Sequence, residues 1–256
     1  MNTSIVSYNI RTVYDGRDGI NNFIHRAGFV YDKIQVEIPD IIGFQEMKQG
    51  HKDMLDRLLA EYQIVGHLRN ENYDGEGVYT AVRKDKYQIL GFEMRWLSPT
   101  PFVPGSRFEN QSVCPRICLM TLVRHLETGK VFRIYNLHLD HISEEAMVLG
   151  IKSAFEFIDE MNGKYKLPYA LLGDFNARPD SEVIRICNNR GDITDVTSHI
   201  PVTYHQFGQK EEEKKIDYIY LSNELAKNVT EVKIWDDEKN GIYLSDHYPV
   251  CAKLNI

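Results

Sequence analysis

Short runs of β-branched and aromatic residues alternate along the chain with longer segments whose apolar positions recur every three or four residues. Residues 4–8 (SIVSY) read as a strand. Ile20, Phe23, Ile24, Ala27, Val30, Tyr31 and Ile34 fall at helical spacing, which predicts a core-facing helix. Ile41-Ile42-Gly43-Phe44 reads as a buried strand, and Met54, Leu55, Leu58 and Leu59 mark a second helix. Further strands are predicted over residues 78–82, 117–124, 131–137, 169–172, 216–221 and 250–254. Ser143, followed by Glu144 and Glu145, reads as a helix start, since acidic side chains complement the positive end of the helix dipole.

The strands between residues 76 and 137 are too many in succession for a doubly wound parallel sheet. Two sheets packed face to face and covered by helices accommodate them. The chain has 256 residues, 43% hydrophobic and 26% charged, with no internal repeat or long Pro/Gly/Ser linker, so one domain over residues 1–256 is expected. Residues 97–111 carry three prolines and little period and read as a long loop. No apolar run approaches the roughly 20 residues that cross a bilayer, so no membrane span is expected. Met1-Asn2-Thr3-Ser4 offers no basic segment followed by an apolar one, so a cytoplasmic location is expected.

Cys114, Cys118, Cys187 and Cys251 have neither zinc-site nor disulfide-framework spacing, so all four are expected as free thiols, with Cys114 and Cys118 as packing residues. The net charge of −7 argues against a broad surface for duplex DNA, because phosphate neutralisation supplies most of such affinity. The Lys-Glu-Glu-Glu-Lys-Lys run at residues 210–215 reads as a solvated turn.

Several polar residues stand just after apolar runs, which places them at strand ends along one edge. They are Asn9, Glu46, His138, Asp174 and Asn176 (in Gly-Asp-Phe-Asn), Asp217, and Asp246 with His247. Singly, a strand-end Asp or Asn is a turn former more often than not. The joint pattern carries the signal. Tyr-Asn-Ile-Arg at Asn9, Ile-Ile-Gly-Phe-Gln-Glu at Glu46, Asn-Leu-His-Leu-Asp-His at His138, Gly-Asp-Phe-Asn, Ile-Asp-Tyr-Ile and Ser-Asp-His-Tyr-Pro-Val together resemble the endonuclease/exonuclease/phosphatase superfamily, in the family's order. Within it the Trp-Leu-Ser-Pro-Thr-Pro segment at residues 96–101 is similar to bacterial members of unsettled substrate and, more distantly, to the deadenylase branch. The resemblance implies a four-layer α/β/β/α sandwich of two mixed sheets, in agreement with the layer reading above.

Phosphoester hydrolysis requires charge neutralisation on phosphoryl oxygens, an activated water and stabilisation of the leaving oxygen. Glu46 is a hard oxygen ligand suited to Mg²⁺, with Mn²⁺ as a substitute; Asn9 and Asp246 complete the metal region. Asp174 is the candidate for deprotonating the attacking water, with Asn176 donating to the phosphate from the same side of an extended segment. His138 and His247 would stabilise developing charge, and such histidines need an acceptor on the second ring nitrogen. The resemblance assigns that acceptor role to Asp217 for His247 and to Glu76 for His138. Arg11 and Arg116 are candidate phosphate contacts, and Asn9 could also position the phosphate.

Two features depart from relatives. Abasic-site enzymes carry tyrosine where this chain has His138, and the loop reads Arg107-Phe108-Glu109-Asn110 where the bacterial relatives carry an aromatic-acidic pair. The expected function is a Mg²⁺-dependent, nuclease-like phosphodiesterase on short or terminal single-stranded nucleic acid. Alternatives are a phosphomonoesterase or lipid head-group phosphodiesterase, and, from another class, an inactive phosphate-binding scaffold. Trp96, Phe102 and Phe108 are expected to stack on or cover the substrate.

Overall fold

The computed structural model describes residues 2–13 and 16–256; Met1, the first residue of the segment read for a leader, lies outside them. Strand β1 (Asn2–Asn9) leads through a short 3-10 turn to α1 (Phe23–Glu37) and β2 (Ile41–Met47). Helix α2 (Gln49–Leu58) precedes the hairpin β3 (Tyr62–Leu68) and β4 (Gly77–Arg83). A meander of β5 (Tyr87–Trp96), β6 (Ile117–His125) and β7 (Val131–His138) follows, and α3 (Glu144–Lys164) crosses to β8 (Tyr169–Asp174). Next come α4 (Glu182–Asn188), β9 (Ile193–Asp195), β10 (Asp217–Ser222), α5 (Asn223–Ala226) and β11 (Val229–Ile234). A small ribbon, β12 (Glu238–Lys239) and β13 (Ile242–Tyr243), precedes β14 (Val250–Asn255).

The first six-stranded sheet runs β11-β14-β1-β2-β4-β3 and the second β5-β6-β7-β8-β10-β9. Each has one parallel pair at its centre, β1–β2 crossed over by α1 and β7–β8 crossed over by α3, with antiparallel neighbours on both sides. A parallel connection needs a long crossover, which is why the two longest helices sit at these points.

Three apolar layers follow from the two-residue period of the strands. Val6, Tyr8, Ile42 and Phe44 face Phe23, Val30, Ile34 and Leu55 of the first helix layer. Tyr135, Leu137 and Leu171 face Ile151, Ala154 and Ile158 of α3. Between the sheets lie Ile5, Ile41, Ile134, Ala170, Leu172, Ile219 and Val250. The expected four-layer arrangement is thus observed.

The inter-sheet layer becomes polar towards one end. Along β1 its positions read Ile5, Ser7, Asn9; along β2 Ile41, Gly43, Gln45; along β7 Ile134, Asn136, His138; along β8 Ala170, Leu172, Asp174. Gln45 and Asn136, both fully buried, clamp the sheets together. Gln45 Nε2 donates to Asn136 Oδ1 at 2.7 Å, and Asn136 Nδ2 donates to the Phe44 and Tyr79 carbonyls at 3.0 Å. Gly43 keeps this seam close: a Cβ there would overlap the Leu172 side chain.

Two expectations for α1 are corrected. The helix begins at Phe23 behind an Asn22 cap, after a 3-10 turn over Gly19–Asn21, so Ile20 and Ile24 are solvent-facing at 59% and 72% exposure. Arg26 takes the buried stripe instead and donates to the carbonyls of Asn21, Leu244 and Ile10. Ser143 caps α3 as expected, its Oγ accepting from the Ala146 N–H at 3.2 Å. Among the described residues no helix is long and apolar enough to cross a membrane.

Candidate active site

The carboxyl ends of both parallel pairs converge at the polar end of the seam. Asp174 lies at the centre. Its Oδ2 accepts from Asn9 Nδ2 at 3.0 Å and faces His138 Nε2 at 3.5 Å and His247 Nε2 at 3.8 Å. Its Oδ1 accepts from the Asn176 backbone N–H at 2.8 Å. Burial and the adjacent Asp217 carboxylate push Asp174 up to about 7, against the pull of His247. A carboxyl poised near neutrality matches what a general base requires.

His247 has the opposite environment. Burial alone would lower it, but Asp217, then Asp174 and Asp246, raise it to about 10. Its Nδ1–H donates to Asp217 Oδ2 at 2.8 Å, so it is an oriented imidazolium at neutral pH. His138 is held well below the usual histidine range by burial and by Arg116 and Arg69, so it is neutral.

Glu46 reaches the centre by an irregularity. Asn9 pairs with Gln45 across β1–β2, so a regular strand would turn Glu46 to the helix side. The register with β4 shifts between Phe44 and Met47, and Glu46 adopts φ 61°. Such bulges re-aim side chains. Glu46 Oε1 accepts from Asn9 Nδ2 at 3.1 Å and Oε2 from the Thr12 N–H at 2.9 Å. Burial opposes its charged form, yet the Thr12 N–H, Arg11 and His247 hold it below the usual carboxylate range. Arg11 (φ 60°) and Asn176 (φ 49°) share this left-handed backbone, a strain that concentrates at functional sites.

Asp246 pairs with Arg11 at 3.3 Å and is raised by burial; Arg11 also holds Asp18 at 3.1 Å. Glu76 is raised by burial and by Glu46, and pairs with Arg69 at 2.7 Å. Asn176 Nδ2 donates to the Leu139 carbonyl at 3.2 Å. Glu46, His138 and Asp174 offer ligand atoms within 4.8 Å of one another, an acidic group whose mutual repulsion a cation would relieve. Asp174, Asp217 and His247 form a second such group, but there the His247 Nδ1 is already committed to Asp217.

A cavity of about 300 Å³ opens on this constellation. Arg11, Glu46, Glu76, Arg116, His138, Asp174, Asn176, Asp246 and His247 all line it. Asn9 and Asp217 stand behind them through their hydrogen bonds.

Sequence reasoning missed Arg69, Cys114, His141, Tyr204 and Lys214 on the same walls. Arg116 is 4% exposed; its Nη2 donates to His141 Nδ1 at 2.8 Å, while its buried Nε and Nη1 have no hydrogen-bond partner among the described residues. Lys214 lies 4.6 Å over the Tyr204 ring. The run at residues 210–215 is therefore only partly a solvated turn. Lys214 joins the cavity, and Lys215 is buried on Asp195 at 3.2 Å. The signal available was the run's position two residues before Asp217.

The aromatic residues of the 97–111 region are also corrected. Trp96, Phe102 and Phe108 line a separate cavity of about 390 Å³ against α3, where the Arg95 guanidinium lies 3.9 Å from the Phe157 ring centroid and 5.1 Å from that of Phe102. Trp96 Nε1 donates to the Arg69 carbonyl. All four cysteines are free, but Cys114 lines the site rather than packing in the core.

The profile of the Endonuclease/Exonuclease/phosphatase family matches residues 6–247. No curated protein matches the sequence. An endonuclease/exonuclease/phosphatase from Bacteroides vulgatus is 29% identical, with a TM-score of 0.91 over 100% of this chain and 99% of its own. A mannosyl-6-phosphatase from Bacteroides thetaiotaomicron is 28% identical, with a TM-score of 0.88 over 99% of this chain and 100% of its own. The catalytic domain of human Nocturnin, with a bound sulfate anion, is 17% identical with a TM-score of 0.76, over 99% of this chain and 93% of its own. That last likeness is one of fold alone.

Proposed function

The chain belongs to the endonuclease/exonuclease/phosphatase family, and on that footing we propose that this phosphoester hydrolase is a Mg²⁺-assisted phosphomonoesterase acting on small phosphorylated molecules such as sugar phosphates. One observation carries the choice. The cavity is about 300 Å³, at the small end of ligand pockets (roughly 300–1,000 Å³), and its wall holds a buried Arg116 with two nitrogens lacking partners among the described residues. A dianionic monoester brings more charge to such an electropositive wall than a diester strand running past it. The mannosyl-6-phosphatase, similar along its whole length, supports the same reading.

In this proposal Glu46 and Asp246, with Asn9 between Glu46 and Asp174, hold the divalent cation, for which an oxygen-donor set is suited. The cation, when bound, supplies positive charge to the phosphoryl oxygens. Asp174 takes the proton of the attacking water. His247, positioned by Asp217, donates to the developing charge, and neutral His138, 3.5 Å from Asp174, does the same, while Glu76 holds Arg69 on the cavity wall. Asn176, Arg11 and Arg116 position the phosphoryl group.

The test is a panel under Mg²⁺: hexose 6-phosphates and p-nitrophenyl phosphate against bis-p-nitrophenyl phosphate, short single-stranded DNA and RNA, and supercoiled plasmid. We expect kcat/KM on the monoesters to exceed that on the diesters by tenfold or more, on the order set by unsatisfied polar groups. Preference for short strands would restore the nuclease-like reading. Rapid plasmid nicking with a steep salt slope would point to an endonuclease. Phosphate release from no substrate, with tight binding, would leave the scaffold.

A further inference from the structure

The four cysteines occupy two kinds of environment. Cys118, Cys187 and Cys251 are at most 2% exposed within the helix-facing cores. Cys114 is half-buried and lines the catalytic cavity, two residues from Arg116. Its loop is held by a dense set of bonds. The Cys114 N–H donates to Ser112 Oγ at 3.3 Å, and its carbonyl accepts from Gln111 Nε2 at 2.7 Å. The Ser112 hydroxyl and N–H both donate to Asp140, whose Oδ2 also accepts from the Ser143 N–H at 2.9 Å. The thiol is therefore carried on a fixed wall rather than on a wandering loop.

A second observation on that wall is independent of the thiol. Arg116 is more than nine-tenths buried and faces the cavity, yet its Nε and Nη1 lack hydrogen-bond partners among the described residues. The Asp140 carboxylate is 3.8 Å from Nε, an ion pair beyond hydrogen-bond reach. These two nitrogens are closed off from the cavity, so what the Arg116 side chain offers there is its charge, and with Arg69 it makes this wall electropositive. Arg69, paired to Glu76, stands beside it with its own buried Nε without a partner among the described residues. Reactive cysteines belong to electropositive, partly exposed surroundings of this kind.

We propose that Cys114 is a modification site for small electrophiles that carry an anionic group, and that its adduct closes the catalytic cavity. Arg116 binds the reagent's anionic group and so presents the electrophilic carbon to the neighbouring sulfur. With iodoacetate the Cys114 sulfur forms a C–S bond to the methylene, the C–I bond breaks, iodide leaves with the bonding pair, and the thiol proton passes to solvent. The carboxylate remains on the adduct beside the Arg116 charge. The loss of hydrolysis that follows rests on the phosphoester-hydrolase reading; the labelling does not.

The experiment treats the native, full-length chain with iodoacetate and, separately, with neutral iodoacetamide, and follows each cysteine by peptide mass spectrometry. Rates are normalised to those of glutathione with the same reagents. We expect iodoacetate to be favoured at Cys114 by about tenfold or more, the lower end of what electrostatic focusing supplies. Inorganic phosphate should slow this labelling, and Arg116→Gln, with its melting temperature checked, should lose the preference while still reacting with iodoacetamide. Labelling of Cys114 no faster than of Cys118, Cys187 and Cys251, or a normalised ratio near one, would overturn the proposal. In the activity arm, wild type should lose hydrolysis with the time course of the adduct, and Cys114→Ser should keep its own untreated rate after treatment. Full labelling with undiminished hydrolysis would refute the closure of the cavity. A protein inactive on every phosphoester but selectively labelled would refute the functional reading alone.

Discussion

In the first sheet the parallel pair β1–β2 brings Asn9 level with Gln45, whereas in the second the pair β7–β8 brings His138 level with Asp174. Both sheets have the same plan of a central parallel pair and antiparallel flanks, and both contribute side chains to the site. The second sheet delivers two functional side chains by regular strand geometry. The first delivers only Asn9 that way, since Gln45 is spent on the Asn136 clamp and Glu46 needs a bulge and a left-handed backbone to arrive. The regular half holds the groups to which we assign proton transfer. The irregular half holds the carboxylate to which we assign the cation, where solvent and ion must both reach.

The largest expected effect separates these two halves directly. Asp174→Asn should lose about 10³-fold or more in kcat at any Mg²⁺ concentration, within the ~10²–10⁴ typical of a positioned general base. Glu46→Gln should lose activity that raised Mg²⁺ or Mn²⁺ partly restores. Steady-state kinetics over a metal titration checks both, and rescue of Asp174→Asn by metal would reverse the division of labour.

Next, His247→Ala and Asp217→Asn should behave as one unit across the two halves, since His247 precedes β14 of the first sheet and Asp217 opens β10 of the second. Each loses on the order of 10²-fold, and the double variant is scarcely worse than His247→Ala, because residues acting together are non-additive. Strictly additive losses in the kinetic cycle would detach Asp217 from His247.

The glycines that seat the two pairs differ in what a methyl would strike. At Gly173 (φ 147°) a Cβ would overlap the Leu137 carbonyl oxygen, which is backbone; at Gly43 it would meet the tip of the Leu172 side chain. Gly173→Ala should destabilise by about 3 kcal/mol, and Gly43→Ala by about 1 kcal/mol. Urea unfolding of both variants checks the order.

The remaining prediction concerns stability against pH. His247 titrates at about 10 in the folded chain against about 6.5 unfolded. Its raised value therefore stabilises the fold fully below about pH 6.5, and that contribution fades as pH rises through about 10. The Tm gap between wild type and Asp217→Asn should be widest near pH 6 and should narrow towards pH 10. A gap that is constant over this range would deny the imidazolium.

Where the strand period is unbroken, the sequence was readable. The apolar alternation of β7 and β8 located His138 and Asp174, and the Ser143 cap located α3. Glu46 was found only because its carboxylate ends an apolar run; the bulge that re-aims it leaves no trace in residue type. The Asn136–Gln45 clamp was invisible because a buried amide inside an apolar strand breaks the pattern without announcing its partner. Arg69, His141 and Lys214 come from loops and a strand end whose meeting depends on tertiary packing. Arg26 joins Phe23, Val30 and Ile34 in the buried stripe of α1 because the carbonyls of Asn21, Leu244 and Ile10 take up its donors. Residue type does not report such distant partners.

The pairing of β1 with β14 has a kinetic meaning. Ile5 faces Ile41 on one side and Ala252 on the other, so the strand ending in Asn9 is seated between a near neighbour in sequence and a very distant one. The meander β5–β6–β7 joins strands that follow one another in the chain, whereas β14 must find β1 across almost the whole chain. Non-local pairing is the slow event in folding. During refolding, helical and meander signals should therefore recover well before β14 docks and carries Asp246 and His247 into place. Catalysis would be the last property the molecule acquires, and so a more stringent reporter of complete assembly than any spectroscopic measure of secondary structure.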